Sequence, residues 1–311
     1  MTPPRPIQPG YTDTISPEAR RTLDKILNAR MPPPLPGVVK RTLSGVIQKT
    51  TARRRGTENV VERRTEIAGV PVRLFSRAGV DPETTPRLLL NVHGGGFEVD
   101  AGSLTENIPL AARLEAAVIG VRYRLAPKHP WPAAVDDLLA VYREALKARP
   151  ADRIVVYGTS AGAVITLQFL ARLKVDGLPM PAAAGVFSGT ADFSRTGDCE
   201  AFLPSVVAGE TTNQTLSPYV GPADRTNPLL SPLYGDLSGL PPVLLLTSTR
   251  DQFLSQTVIV HRAMKRGGVA AELQIFDAMP HAFWGWIDCP ETEDAFDTMA
   301  AFFDRHLGRL G

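Results

Sequence analysis

The residues best suited to chemistry lie in a short stretch, Gly158–Gly162, with the pattern Gly-x-Ser-x-Gly. Its central residue, Ser160, carries a hydroxyl that becomes a nucleophile when a base removes its proton. Small residues on both sides permit a sharp turn in which the serine adopts a sparsely populated backbone conformation. We expect such a turn to present the Ser160 hydroxyl for attack on a carbonyl carbon.

A serine nucleophile needs a base, and the histidines that follow it in the chain are His261, His281 and His306. His261 and His306 lie within helical patterns, where a position on the helix surface is the simplest interpretation. His281 lies in a loop predicted to follow the last strand of the chain. We therefore predict that His281 reaches Ser160, with a structural loop histidine as the alternative.

The base in turn needs an acid that orients it. Asp251 follows an apolar run, Val243–Ser248, that predicts a buried strand, and it precedes a helical pattern. A helix N-cap is the structural alternative for Asp251. Asp277 is a rival acid, but it ends the last predicted strand and lies close to His281 in sequence. We predict Asp251 as the acid and keep Asp277 as the alternative.

Backbone donors for a developing oxyanion are predicted in the glycine run that follows His93. Consecutive glycines allow N–H groups to point into a cavity without obstruction by side chains. Gly95 and Gly96, together with the N–H of Ala161, are expected to form the oxyanion hole. A flexible loop is the alternative, and we expect His93 to order the loop by hydrogen bonding.

The elements that must position these residues alternate between strands and helices. A predicted hairpin from Val60 to Phe75 is followed by alternating strands and helices that end with a helix from Glu291 to Leu307. One predicted helix, Leu104 to Glu115, follows the glycine run, and the last strand is predicted over Ala271 to Phe276. Such alternation is typical of an α/β protein whose mostly parallel sheet is covered by helices on both faces. Functional groups in these sheets lie beyond the C-terminal ends of the strands.

Two segments fall outside the alternating pattern, residues 1–58 and 189–241. The first contains a predicted helix from Ser16 to about Arg30 and a second helical piece around Val38 to Lys49. The second contains a predicted helix from Cys199 to Val207. We expect both segments to cover the strand ends as a cap above the site.

Taken together, the motifs resemble those of the hormone-sensitive-lipase-like (family IV) carboxylesterases. The resemblance rests on His93–Phe97 (HGGGF), Tyr123–Ala134 (YRLAPKHPWPAA) and Gly158–Gly162, followed by Asp251 and His281. It implies the α/β-hydrolase fold with a helical cap. The catalytic domain would comprise residues 59–188 and 242–311, while residues 1–58 and 189–241 would form the cap.

The resemblance also implies the roles of the site residues and the reaction. Ser160 would be the nucleophile, His281 the base and Asp251 its orienter, with Gly95, Gly96 and Ala161 as oxyanion donors. The expected reaction is hydrolysis of short- to medium-chain carboxylic esters through an acyl-enzyme, without a cofactor. Hydrolysis of lactones or amides by the same groups is an alternative, and a non-catalytic ligand-binding protein on this fold is another. Family members often form dimers through the last edge strand.

Composition limits the partners of this chain of 311 residues. Its formal net charge of +2 and 43% hydrophobic content suit a globular protein and predict neither nucleic acid nor a membrane as partner. A small-molecule ester is the expected partner.

The cysteines, Cys199 and Cys289, do not have the spacing of a metal site and suit a reducing compartment. The N-terminal residues lack the apolar segment of a secretory signal, so we expect a cytoplasmic protein.

Overall fold

The structure, a computed structural model, describes residues 14–28, 54, 57–100, 105–202 and 217–308. Its strands are β1 Val60–Ile67, β2 Val70–Arg77, β3 Leu88–Val92, β4 Ala117–Val121, β5 Ile154–Thr159, β6 Ala183–Phe187, β7 Val243–Arg250 and β8 Ala271–Pro280. The α-helices within the same residues are α1 Pro17–Asn28, α2 Asn107–Arg113, α3 Ala133–Ala148, α4 Ala161–Asp176, α5 Asp198–Phe202, α6 Ser217–Val220, α7 Leu254–Arg266 and α8 Pro290–His306. Short 3₁₀ turns cover Ala151–Arg153, Pro232–Tyr234 and Phe283–Gly285.

The strands form one sheet in the order β1-β2-β4-β3-β5-β6-β7-β8. β1 pairs with β2 and β2 with β4 in antiparallel fashion, whereas all pairs from β4–β3 to β7–β8 are parallel. The β1–β2 turn uses Ala68 and Gly69 with φ of 52° and 80°, as two-residue hairpin turns require. Because parallel strands end at one edge, the segments after β3, β5, β7 and β8 meet there. The predicted α/β fold with a mostly parallel sheet is confirmed.

Side chains of the central strands alternate between two cores, one on each face of the sheet. In β3, Leu88 and Leu90 belong to the core that α3 and α4 cover, whereas Leu89 belongs to the core that α2 and α8 cover. The second core also contains Ala19 and Leu23 of α1. Because these strands are buried on both faces, their sequences are nearly continuous runs of hydrophobic residues.

Helix α1 is held to α8 near the edge of the sheet where the strands end. The Ser16 backbone N–H and hydroxyl donate hydrogen bonds to the Glu291 carboxylate at 2.5 and 2.7 Å. Helix α8 begins at Pro290, shortly after β8 reaches this edge, so the start of α1 lies on the same side of the molecule. This contact joins two helices that lie at opposite ends of the sequence.

Some predicted boundaries differ from the structure. The last strand, predicted to end at Phe276, continues to Pro280, because β7 extends to Arg250 and pairs with Pro280 across an irregularity in register. His281 therefore follows the strand directly instead of lying within a loop. The helix predicted from Leu104 begins at Asn107.

The structure describes the predicted cap segments only in part. Within residues 1–58, α1 agrees with the predicted first helix, whereas the helical piece predicted around residues 38–49 lies outside the described residues. Of the helix predicted from Cys199 to Val207, the structure describes α5, and residues 203–216 lie outside the described part. The division into a cap and a catalytic domain stays a prediction.

Candidate active site

Ser160 sits at the sharp turn between β5 and α4. Its backbone has φ 58° and ψ −119°, a conformation that costs free energy for any residue with a side chain. The turn brings the start of α4 directly against the end of β3, with almost no space between them. A Cβ added to Gly162 would lie 1.8 Å from the Val92 carbonyl oxygen, so glycine is required at this close approach. The Ser160 side chain is consequently presented at the C-terminal edge of the sheet, as the sequence predicts.

His281 lies opposite Ser160 at the end of β8. Its Nε2 is 3.0 Å from the Ser160 hydroxyl, and its Nδ1 is 2.8 Å from Asp251 Oδ1. The flanking residues Ala278 and Ala282 have φ of 55° and 49°, so the backbone turns sharply on both sides of the histidine. Trp286 donates a hydrogen bond from its indole nitrogen to the His281 carbonyl oxygen at 3.1 Å. The structure thus joins a hydroxyl, an imidazole and a carboxylate in one hydrogen-bonded row.

Asp251 is fully buried and well supplied with donors. Its Oδ2 accepts a hydrogen bond from the Thr247 hydroxyl at 3.0 Å, and its Oδ1 accepts one from the Phe253 backbone N–H at 3.0 Å. Burial alone would raise the pKa of Asp251, but its charge interaction and hydrogen bond with His281, together with further hydrogen bonds such as that from the Phe253 N–H, outweigh burial and hold this pKa below its ordinary value. Asp251 is therefore a carboxylate that can orient the imidazole.

The alternatives weighed for base and acid lie elsewhere. Asp277 is exposed and accepts a hydrogen bond from the Thr249 hydroxyl at 3.1 Å. His261 lies on α7 with its Nε2 3.3 Å from the Ala271 carbonyl oxygen. The ring of His306, at the end of α8, packs on Phe302. None of these side chains belongs to the hydrogen-bonded row.

The glycine loop that follows β3 passes beside the serine turn, since a Cβ added to Gly94 would lie 2.9 Å from the Thr159 carbonyl oxygen and 3.4 Å from the Ser160 Cβ. Helix α4 begins at Ala161, and the first N–H groups of a helix have no partner within it. The Ser160 N–H is already bonded to the Phe187 carbonyl at 2.8 Å, which leaves the next N–H as the donor nearest the nucleophile. Gly95 has φ 120°, and a Cβ there would lie 2.0 Å from the Val99 carbonyl oxygen. Only glycine permits this path of the loop at residue 95.

The glycine loop is held in place by aromatic contacts that the sequence did not reveal. Phe97 stacks on Tyr219 of α6 with ring centroids 3.7 Å apart, and the Phe97 carbonyl accepts a hydrogen bond from the Ala126 N–H at 3.0 Å. The Tyr123 hydroxyl donates to the His93 carbonyl oxygen at 2.9 Å, and the two rings stack. Sequence spacing carries no signal for these contacts, because they join distant segments.

His93 has the structural position that we predicted for it. Its ring is fully buried, and Nδ1 lies 2.8 Å from the Gly94 carbonyl oxygen. Burial lowers the pKa of His93, against the opposing effect of Asp100, so the ring is neutral at neutral pH. A neutral, stacked imidazole is suited to bracing the loop.

A buried carboxylate, Glu106, also lies behind the serine turn, and the sequence analysis missed it. Glu106 accepts hydrogen bonds from the Thr159 hydroxyl at 2.6 Å and from the Trp284 indole N–H at 2.9 Å. It was missed because Glu106 fell inside a predicted amphipathic helix, where a glutamate normally faces solvent. The available signal was a charged residue just before an apolar helix that begins at the sheet edge.

Metal-binding clusters and membrane-spanning helices are both absent from the described residues. Within those ranges, no group of three or more His, Cys, Asp or Glu side chains could hold a metal ion. No helix among the same residues is long and apolar enough to cross a membrane.

The chain is similar to several known hydrolases and esterases. Residues 89–285 match a family model described as the alpha/beta hydrolase fold. The chain is 31% identical over 232 residues to an acetyl-hydrolase from Streptomyces hygroscopicus, covering 71% of this chain and 77% of the relative. It is 30% identical over 245 residues to the carboxylesterase NlhH of Mycobacterium tuberculosis, covering 70% and 72%. A crystal structure of a hormone-sensitive lipase from a metagenome library superimposes with a TM-score of 0.82 at 30% identity, covering 95% of this chain and 100% of the other.

Proposed function

Because the chain belongs to the α/β-hydrolase family, among its hormone-sensitive-lipase-like (family IV) esterases, and is a carboxylesterase, we propose that Ser160, His281 and Asp251 hydrolyse the ester. The observation that carries this proposal is the hydrogen-bonded row from the Ser160 hydroxyl through both His281 nitrogens to Asp251. The order serine, acid, histidine along the chain is the order of α/β-hydrolases.

The reaction proceeds in two stages. Ser160 Oγ bonds to the carbonyl carbon of the ester while its proton passes to His281 Nε2. The bond to the alcohol oxygen then breaks, and His281 returns the proton to that oxygen. Water next adds to the acyl carbon while its proton passes to His281 Nε2. The bond to Ser160 Oγ then breaks, His281 returns the proton to that oxygen, and the carboxylic acid is released. Asp251 keeps Nδ1 protonated, so that Nε2 accepts the serine proton, and its charge stabilises the imidazolium.

We assign the oxyanion that forms in both stages to the N–H groups of Gly95, Gly96 and Ala161. Each fixed donor of this kind contributes roughly 3 kcal/mol to the transition state. The assignment is supported by the position of Ala161 at the start of α4 and by the engagement of the Ser160 N–H elsewhere. Fixed backbone donors suit this task, because they need no rearrangement when the charge develops.

Replacement of the nucleophile tests the proposal. Ser160→Ala should lower kcat for p-nitrophenyl butyrate on the order of 10⁶-fold, as loss of a triad serine does. A fluorophosphonate probe should label the native protein at Ser160 and leave the variant unlabelled. Ser238→Ala, at an exposed serine on Lys174 and Asp236, is the matched control and should retain activity. Hydrolysis by Ser160→Ala at an appreciable fraction of the native rate would contradict the assignment.

We propose short- to medium-chain acyl esters as substrates. The name of the acetyl-hydrolase relative supports a small acyl group. A panel of p-nitrophenyl esters from acetyl to palmitoyl, extended by lactones and amides, gives kcat/KM for each class. We expect the acetyl to octanoyl esters to be cleaved fastest, and a preference for emulsified palmitoyl esters, lactones or amides would overturn this choice.

We also propose a cap over the site and a cytoplasmic location for the protein. Residues 1–58 and 189–241 would form the cap, since Tyr219 of the second segment packs directly on Phe97 of the glycine loop. A cytoplasmic location is supported by Cys199 and Cys289, which are both free thiols.

A further inference from the structure

The carboxylate of Glu106 lies in the interior, and the side chains that donate hydrogen bonds to it are neutral within the part of the chain that the structure describes. Its side chain is almost completely buried, and its Oε1 accepts hydrogen bonds from Thr159 and Trp284. Its Oε2 accepts a third hydrogen bond, from the Thr105 hydroxyl at 2.6 Å. Burying a carboxylate without a countercharge is costly, so a role of packing alone would be met better by an apolar residue.

The two Oε1 donors belong to the two segments that carry the reacting groups. Thr159 is the residue immediately before the nucleophile, and Trp284 lies three positions after His281. One carboxylate oxygen therefore joins the serine turn to the segment that carries the base. Glu106 and Trp284 are 178 positions apart in the sequence. The neighbouring Asn107 accepts a hydrogen bond from the Tyr157 hydroxyl at 2.7 Å, so the start of α2 is bonded twice to the end of β5.

We propose that Glu106 is a positioning residue that sets the placement of Ser160 against His281 through its bonds to Thr159 and Trp284. The inference rests on the proposed function, since it concerns the same reacting pair. Ser160 is in a strained conformation, and a strained turn persists only when its surroundings restrain it. Proton transfer also needs the two groups within hydrogen-bond reach, and a displacement of about 1 Å can cost roughly 10²-fold in rate.

The test removes the Thr159 hydroxyl with little change in shape. Thr159→Val should lower kcat about tenfold with KM changed less than twofold, and should slow labelling by a fluorophosphonate in parallel. Thr159→Ser restores the hydroxyl and should recover most of the lost kcat. The matched control is Thr292→Val, which removes another buried hydroxyl, bonded to the Ile287 carbonyl at 2.7 Å. This control should lower Tm without lowering kcat.

Variants of the carboxylate give an independent measurement. Glu106→Ala should lower kcat more than Thr159→Val does. The amide oxygen of Glu106→Gln can still accept both hydrogen bonds, so its kcat should be at least about tenfold higher than that of Glu106→Ala. In the Glu106→Ala background, adding Thr159→Val should have little further effect, because the bond is already lost.

The outcomes separate this inference from the proposed function. If Ser160→Ala is inactive while Thr159→Val keeps native kcat per titrated site, the positioning role is wrong and the proposed nucleophile stands. If Thr159→Val and Thr292→Val reduce kcat equally, the effect reflects general destabilisation and the positioning role is again wrong. If Ser160→Ala remains active, the proposed function itself fails.

Discussion

At the residue scale, the choice between two acids is a choice between two environments. Asp251 is buried and touches His281, whereas Asp277 is exposed and bonded to Thr249. A carboxylate orients the imidazole only when it accepts the Nδ1 proton directly, so sequence distance from the histidine is a poor guide.

We predict that Asp251→Asn lowers kcat on the order of 10³ to 10⁴-fold, because the amide stabilises the wrong imidazole tautomer. Steady-state kinetics with p-nitrophenyl butyrate measures the effect, and circular dichroism verifies the fold. Asp277→Asn is the matched control and should stay within about twofold of native kcat, since exposed side chains outside the site contribute little. Equal losses in both variants would contradict the assignment of the acid.

At the scale of elements, α4 has a glycine near each end, and the two glycines serve different needs. Gly162 has no room for a Cβ, because the Val92 backbone lies 1.8 Å from where it would be. Gly177 ends the helix with φ 65° and has open space around it. Position in the tertiary structure, and not residue type, therefore determines the cost of a methyl group.

We predict that Gly177→Ala costs about 1 to 2 kcal/mol, the strain of a left-handed conformation. Gly162→Ala should cost considerably more, although alanine within a helix would ordinarily stabilise it by about 0.5 to 1 kcal/mol. Urea unfolding gives both values, and fluorophosphonate labelling reports whether Ser160 is still presented. If Gly162→Ala proves as stable as the native protein, the close packing of α4 on β3 is wrong.

The contact between α1 and α8 is predicted to depend on pH. Burial would raise the pKa of Glu291, but its hydrogen bonds to Ser16 outweigh burial and lower it from the ordinary value of 4.5. Because the folded-state pKa lies below the unfolded value, the stabilisation is complete above about pH 4.5 and is lost as pH falls through the folded-state pKa.

Hydrogen exchange of residues 17–28, corrected for the intrinsic rate, should therefore increase at acidic pH. At pH 7, Glu291→Gln should weaken protection of α1 by about 1 kcal/mol. Glu18→Gln, which alters an exposed ion pair with Arg21, should change it by less than about 0.5 kcal/mol. Protection of α1 that is unchanged by Glu291→Gln would rule out this contact as the one that holds the helix.

At the scale of the whole molecule, the sheet ends in a strand whose outer edge pairs with no other strand among the described residues. β8 is the last strand in the sheet order, and Ile275 on it is 46% exposed. Unpaired edge strands readily pair with another chain, and many proteins protect them with charge. We propose that a second copy of the chain pairs along β8 to form a homodimer.

In size-exclusion chromatography with light scattering, the native chain should have the mass of a dimer. Ile275→Lys should shift it to the monomer, because a charge on the pairing strand opposes association. The matched control is Ile259→Lys, where the isoleucine is 41% exposed but lies on α7 and not on the edge strand. A monomeric native protein, or a dimer that survives Ile275→Lys, would exclude pairing through β8.

Sequence alone determined the fold and the chemistry of this protein to a large extent. Alternating strands and helices are encoded locally by hydrophobic periodicity, and the turn around Ser160 by the small residues beside it. The predicted α/β-hydrolase fold is confirmed, and the carboxylesterase activity expected from the motifs agrees with the relatives. The assigned roles of Ser160, Asp251 and His281 remain predictions, which the structure supports by bringing these side chains together.

Only the tertiary structure decided how the predicted acid reaches the base and which further side chains support those groups. Asp251 meets His281 because β7 and β8 extend beyond their predicted ends and pair across an irregularity in register. Glu106 reaches Thr159 and Trp284 because α2 packs at the ends of strands that are far apart in sequence. Contacts of this kind depend on the path of the whole chain. A local sequence pattern carries no information about a partner that lies on a different strand or helix.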